Sequence, residues 1–246
     1  DNWPVMGIDK DGDYCGDPVK TYRKPKTSKA WPIQNPVESD EFNQPLLGKQ
    51  WQWHANYNQF FGMPTSFGTF RVYNHKLSEN FVNLWEVPNL LLQKTPADKF
   101  TATAKVRVTA KDQNQFGGLI MMGLDYSAIV VKRVGDEFEL QQITCLKADK
   151  GKPEKVNVIA KLKPTEVDKI DYQPAIHEDI YLRMMVNEGI CNFAYSLDGK
   201  KYKKVGESFK MREGKWIGAK IGFVAAEPAG KANRGWLEAD WFHVTK

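Results

Sequence analysis

The chain has 246 residues, 41% hydrophobic and 26% charged, enough to bury a sizeable core in one large domain plus an extension. Its 35 Lys and Arg are interleaved with 30 Asp and Glu, so the net charge of +5 is not gathered into the basic stripe of a nucleic-acid binder, and the Lys-rich runs Lys147 to Lys155 and Lys200 to Lys204 read as solvated turns. No run reaches the roughly 18 to 20 apolar residues of a membrane helix, and Asp1-Asn2-Trp3-Pro4 lacks the basic and apolar regions of a secretion signal. A soluble chain with neither nucleic-acid nor membrane partners is expected.

The first 37 residues have little periodicity. They hold Pro4, Pro18, Pro25, Pro32 and Pro36, an acidic run at Asp9, Asp11, Gly12 and Asp13, and the basic stretch Tyr22-Arg23-Lys24-Pro25-Lys26. Such a segment cannot form a core of its own and reads as a linker or as the end of a preceding domain. As a calcium loop the acidic run fails the EF-hand pattern, which needs Gly sixth and Glu twelfth, where Tyr14 and Lys20 stand.

From residue 38 to residue 246 the strand signal dominates. Trp51 and Trp53 are two apart and share a strand face, which reads first as core; the polar loop Asn56-Tyr57-Asn58-Gln59 that follows is the better place for ligand contact. Phe100, Ala102, Ala104, Val106 and Val108 alternate with Thr101, Thr103, Lys105 and Arg107, the period-2 pattern of a half-buried strand. Ser127 to Ile143 is parted by Val134-Gly135-Asp136, and Ile180 to Leu197 by Asn187-Glu188-Gly189; both predict hairpins with Gly supplying the positive φ. Leu197-Asp198-Gly199-Lys200 predicts a further turn into Tyr202 to Val205. With Thr69 to Tyr73, Leu90 to Lys94, Gly117 to Met122, Val156 to Leu162, Lys220 to Ala225 and Trp236 to Val244, the chain offers about a dozen short strands and no competing amphipathic helix. Each strand must bury one face, so the expected fold is all-β, a two-sheet antiparallel jelly-roll sandwich behind an irregular N-terminal extension.

Catalytic signals are weak. Glu38-Ser39-Asp40-Glu41-Phe42 partly matches the acidic strand of laminarinase-type sandwich hydrolases, but Ser39 interrupts the pattern, which leaves Glu38, Asp40 and Glu41 as a minor acid and base reading. His54, His75, His177 and His243 lie in no nucleophile context, and GxSxG, HExxH and phosphate-loop motifs are absent from the sequence. Cys15, Cys145 and Cys191 are too few and too scattered for a disulfide framework or a thiolate metal site.

Several stretches taken together resemble a known family: Leu47-Gly48-Lys49-Gln50-Trp51-Gln52-Trp53-His54-Ala55-Asn56, Phe116-Gly117-Gly118-Leu119, Tyr181-Leu182-Arg183, Phe193-Ala194-Tyr195-Ser196-Leu197-Asp198-Gly199 and Ala239-Asp240-Trp241-Phe242. The family is the C-terminal concanavalin A-like domain of family-43 glycoside hydrolases, the β-xylosidase and α-L-arabinofuranosidase group. Trp3 to Asp13 is similar to the segment that leaves the five-bladed propeller of these enzymes. The resemblance implies a noncatalytic accessory domain, because the family's acid and base lie in the propeller. It implies as partners that propeller and xylan or arabinoxylan fragments, and a periplasmic or extracellular location. It also implies that the loop Trp216-Ile217-Gly218-Ala219-Lys220 reaches toward the sugar pocket, with Trp216 and Lys220 as candidates. An independent carbohydrate-binding module is the alternative expectation.

One ion is expected. Asp40 opens the first strand and Asp240 begins the closing run Asp240-Trp241-Phe242; in a jelly roll these ends commonly adjoin. Two facing carboxylates would need a proton, a basic partner or a hard cation, and the resemblance to family-43 sandwiches points to structural Ca2+.

Overall fold

The computed structural model describes residues 7–21, 29, 31–32, 34–168, 175–231 and 233–246. Trp3, Val5 and the stretch Tyr22 to Lys26 lie outside them. The chain divides into two compact units, Asp1–Asn35 and Pro36–Lys246. In the first, Ile8 and Asp17 form an antiparallel bridge (N···O 3.1 and 3.0 Å), and the Asp9 carboxylate accepts from the N–H groups of Gly12 (2.7 Å) and Tyr14 (3.1 Å).

The second unit is built of strands. They are β1 (Gln52–Trp53), β2 (Gly62–Pro64), β3 (Phe70–Tyr73), β4 (His75–Lys76), β5 (Leu91–Lys94), β6 (Lys99–Ala110), β7 (Phe116–Met122) and β8 (Tyr126–Val134). The rest are β9 (Glu137–Cys145), β10 (Lys155–Leu162), β11 (Glu166–Asp168), β12 (Ala175–Asn187), β13 (Ile190–Ser196), β14 (Lys203–Lys210), β15 (Lys220–Glu227) and β16 (Trp236–Thr245). One sheet runs β1-β5-β15-β7-β8-β9-β10, with β4 parallel to the end of β15; the other runs β14-β13-β12-β6-β16-β3-β2, with β11 beside β12. All the other pairings are antiparallel, so the expected two-sheet sandwich is the fold observed. Gly135 (φ 66°) and Gly189 (φ 79°) turn the two predicted hairpins in the left-handed region where a side chain would be strained.

Alternation decides what each sheet buries. Ala102, Ala104, Val106 and Val108 of β6 point between the sheets, where they meet Leu119, Met121, Ile129 and Val131 from the opposite one. On the second sheet the intervening residues face outward, as the period-2 pattern predicts. The first sheet departs from that pattern, since every residue of β7 is buried. Its other face carries Ile120, Met122, Ala128, Val130 and Val224, and these pack under Leu84, Val87 and Ala148 from the connections before β5 and before β10. That cover is pinned by polar groups: the Leu84 N–H donates to the Tyr126 hydroxyl (2.7 Å), which donates to Glu154, and Asn83 Nδ2 donates to the carbonyls of Ala148 (3.1 Å) and Lys152 (2.8 Å). Cys15, Cys145 and Cys191 are all free thiols.

Candidate functional site

The predicted site residues fall into three places. Asn56 and Tyr57 stand exposed on the loop after β1, which is held by Ala55 N–H to the Pro88 carbonyl (3.2 Å) and by Arg234 Nη2 to the Phe60 carbonyl (2.9 Å). Trp216 stands on the loop before β15. This loop is anchored by Arg212 to Asp125 (3.2 Å), Leu124 N–H to the Glu213 carbonyl (2.8 Å) and Thr95 N–H to the Ala219 carbonyl (3.3 Å). At its tip Trp216 is 90% exposed and holds φ at 70°, a conformation that disfavours a bulky residue.

Lys220 is different. It is only 8% exposed, and because Ile221, Phe223 and Ala225 face the inter-sheet core, alternation puts it on the covered outer face of the first sheet. Burial lowers its pKa, and it acts on His54, whose pKa is driven to about 4 first by burial and then by the Lys220 charge. The neutral His54 Nε2 donates to the Trp85 carbonyl (3.2 Å), Trp85 meets the ring edge to face, and Nδ1 is buried without a hydrogen-bond partner among the described residues. The Lys220 charge is thus felt at His54, an influence no local spacing announced; no contact among the described residues joins Asn56 or Tyr57 to Trp216.

The two carboxylates expected to face each other have separate partners. The chain ends do adjoin: Asp40 and Phe242 exchange N–H···O bonds of 2.8 Å in both directions. Yet Asp40 Oδ2 accepts from the Trp51 indole N–H (2.8 Å) and Gln50 Nε2 (3.1 Å), and Oδ1 accepts from the Phe42 N–H (2.9 Å). Asp240 sits at a β-bulge that interrupts the pairing between Ala239 and Trp241, and takes Lys105 Nζ at 2.6 Å. The repulsion from which an ion was inferred is therefore already relieved, by N–H donors at one carboxylate and an ammonium at the other. Glu38 pairs with Lys246 (2.7 Å) and Glu41 with His243 (2.6 Å), so both acids are tied to the end of the chain, although Asp40 and Glu41 also line a concavity of about 590 Å3 with Leu46 and Lys49. The group of acids close enough to share a cation, among the described residues, is Asp9, Asp11 and Asp13 on the exposed N-terminal loop.

Another concavity, also of about 590 Å3, lies on the outer face of the second sheet and includes Lys105, Arg107, Asp179, Tyr181, Glu238 and Asp240. Its signal was present as the polar half of the β6 alternation, but the partner acids come from β12 and β16, distant in sequence.

Two antiparallel sheets around a common core, one covered on its outer face and one open with a charged cleft, make this a concanavalin A-like β-sandwich domain. Residues 39–245 match the family described as beta xylosidase C-terminal concanavalin A-like domain, and the chain belongs to that family. It is 27% identical to a β-xylosidase of Formosa agariphila over 98% of this chain and 40% of that protein. It is 25% identical to a putative β-xylosidase of Xylanibacter ruminicola over 90% of this chain and 36% of that one. The chain thus spans about two fifths of the curated relatives it matches. The crystal structure of a xylan β-1,4-xylosidase from Bacillus halodurans superposes on 94% of the chain with a TM-score of 0.68 at 14% identity, a likeness of fold.

Proposed function

We propose that the chain is the noncatalytic accessory domain of a glycoside hydrolase that acts on xylose- or arabinose-containing plant polysaccharide, seated beside a catalytic propeller in the whole protein, outside the cytoplasm. The observation that carries this reading is the state of the acids. Hydrolysis of a glycosidic bond needs two carboxyls flanking one cleft, one of them able to hold a proton. Glu38, Asp40 and Glu41 are each spent on a partner, and the carboxyls whose pKa is raised, Glu154, Glu178 and Glu227, are raised chiefly by burial and lie on different strands and connections of the sandwich. In this reading Trp216 works on a surface outside the chain. An apolar ring held in a strained conformation with almost no cover gains nothing from its own domain, which fits a side chain that shapes the mouth of a pocket in the propeller.

This chain alone is expected to release no aryl alcohol from aryl-xylosides or aryl-arabinofuranosides, while Trp216→Ala in the whole protein raises KM and leaves the melting temperature of this chain unchanged. Turnover by the isolated chain that is lost in Asp40→Asn or Glu41→Gln would overturn the accessory role.

A structural calcium at Asp40 and Asp240 is a separate proposal, supported by the pairing of the two end segments and requiring Lys105 to leave Asp240. An ion bound only by the folded chain raises its melting temperature, so chelation should lower it and Asp240→Ala should erase the difference. Identical melting with calcium and with chelator removes the ion.

A further inference from the structure

We propose that the outer face of the second sheet is a binding groove for a neutral polysaccharide chain, with Lys105 and Asp240 at its centre and Tyr181 and Phe67 as its apolar contacts. The groove crosses the strands. Its floor passes from Asp179 and Tyr181 on β12, over Lys105 and Arg107 on β6 and Glu238 and Asp240 on β16, to Arg71 on β3. Leu197 in the β13–β14 turn stands at one side and Phe67 in the β2–β3 turn at the other, 58% and 85% exposed.

The charges in this floor cancel. Arg71 pairs with Glu238 (2.9 Å), Lys105 with Asp240 (2.6 Å), and Arg107 grips Asp179 through two bonds of 2.8 Å while a third, of 3.0 Å, goes to Glu166. An anionic ligand needs uncompensated cations, and none is offered here; the one acid in excess, Glu166, shares Arg107 with Asp179 and is not part of the floor. What the floor presents is a row of donors and acceptors fixed by one another, the chemistry that suits hydroxyl groups, each of which both gives and accepts a hydrogen bond. The β16 bulge turns Asp240 out, and its Oδ1 and the Tyr181 hydroxyl have no hydrogen-bond partner among the described residues. The Tyr181 ring stands 6.0 Å from Trp241 and directly under Gly199, where a Cβ would approach the ring to 2.8 Å, so the platform is fixed in place. The exposed Phe67 ring and the half-buried Tyr181 ring, beside fixed polar groups, suit the alternating C–H and O–H faces of a sugar.

That the glycan is xylan rests on the accessory-domain reading; the neutrality of the groove does not. The test is titration calorimetry of this chain with xylohexaose, cellohexaose and tri-galacturonate. Binding of a neutral hexasaccharide is expected, weakened about tenfold when Lys105→Ala and Asp240→Ala are combined so that no lone charge remains, and about threefold in Phe67→Ala, whose exposed side chain the fold does not need. Trp216→Ala should bind as the unaltered chain does. If the double variant does not fold, Phe67→Ala and Leu197→Ala carry the comparison. Binding of cellohexaose without xylohexaose supports the groove and counts against a xylan-directed role. No binding of either at millimolar ligand, equal binding by the variants, or preference for the galacturonate overturns the proposal.

Discussion

Trp51→Ala is expected to be the most destabilising single change in the sandwich, by about 3–5 kcal/mol, read as a fall in melting temperature of roughly 10 °C or more. The indole stacks on Phe223 (5.6 Å), meets Phe242 edge-on (5.2 Å) and lies 5.6 Å from Phe42, so one side chain joins the first sheet, the last strand and the opening segment. Its N–H is satisfied inside this cluster by Asp40. Asp40→Ala should then cost about 1–3 kcal/mol, because it strips the acceptor from the indole, from Gln50 and from the Phe42 N–H that supports a left-handed residue. Since the two residues share a bond, the double variant should lose less than the sum of the singles. Strict additivity in chemical denaturation would mean that Asp40 does not stabilise the fold through Trp51.

The second large effect depends on pH. Glu178 on β12 is buried with Oε2 unpartnered among the described residues, and burial, then the charge of Asp179, pushes its carboxyl up to about 7, against about 4.3 in an unfolded chain. Between those values the native state binds more protons than the unfolded state. The stability this group contributes is therefore complete below the unfolded value, falls as pH rises toward 7, and is lost above it. The loss should be on the order of 2–3 kcal/mol between pH 4 and pH 8. Glu178→Gln, which cannot ionise, should flatten that part of the profile. Melting curves for the two proteins that run parallel across this range would show that Glu178 is not the titrating group.

The local pattern by itself determined a good deal. The alternation from Phe100 to Val108, the glycines at 135 and 189 and the apolar run from Gly117 to Met122 mark strands and turns through side-chain period and backbone sterics, which neighbours in sequence settle between them. The Trp51 stretch and the hairpin from Phe193 to Gly199 carried the family resemblance, and the match of residues 39–245 agrees with it. The two- and three-residue strands β2, β4 and β11 left no period long enough to read. Which strands adjoin is a matter of long-range pairing, and there the tertiary structure decided. It covered the first sheet on both faces, where the apolar run of β7 alone could not say what lay above it. It gave Asp40 to an indole and Asp240 to an ammonium, although both acids stood in sequence as candidate ligands. It also assembled one groove from Arg71, Lys105, Asp179 and Asp240, because a period of two tells which residues of a strand share a face but not which other strands lie beside it.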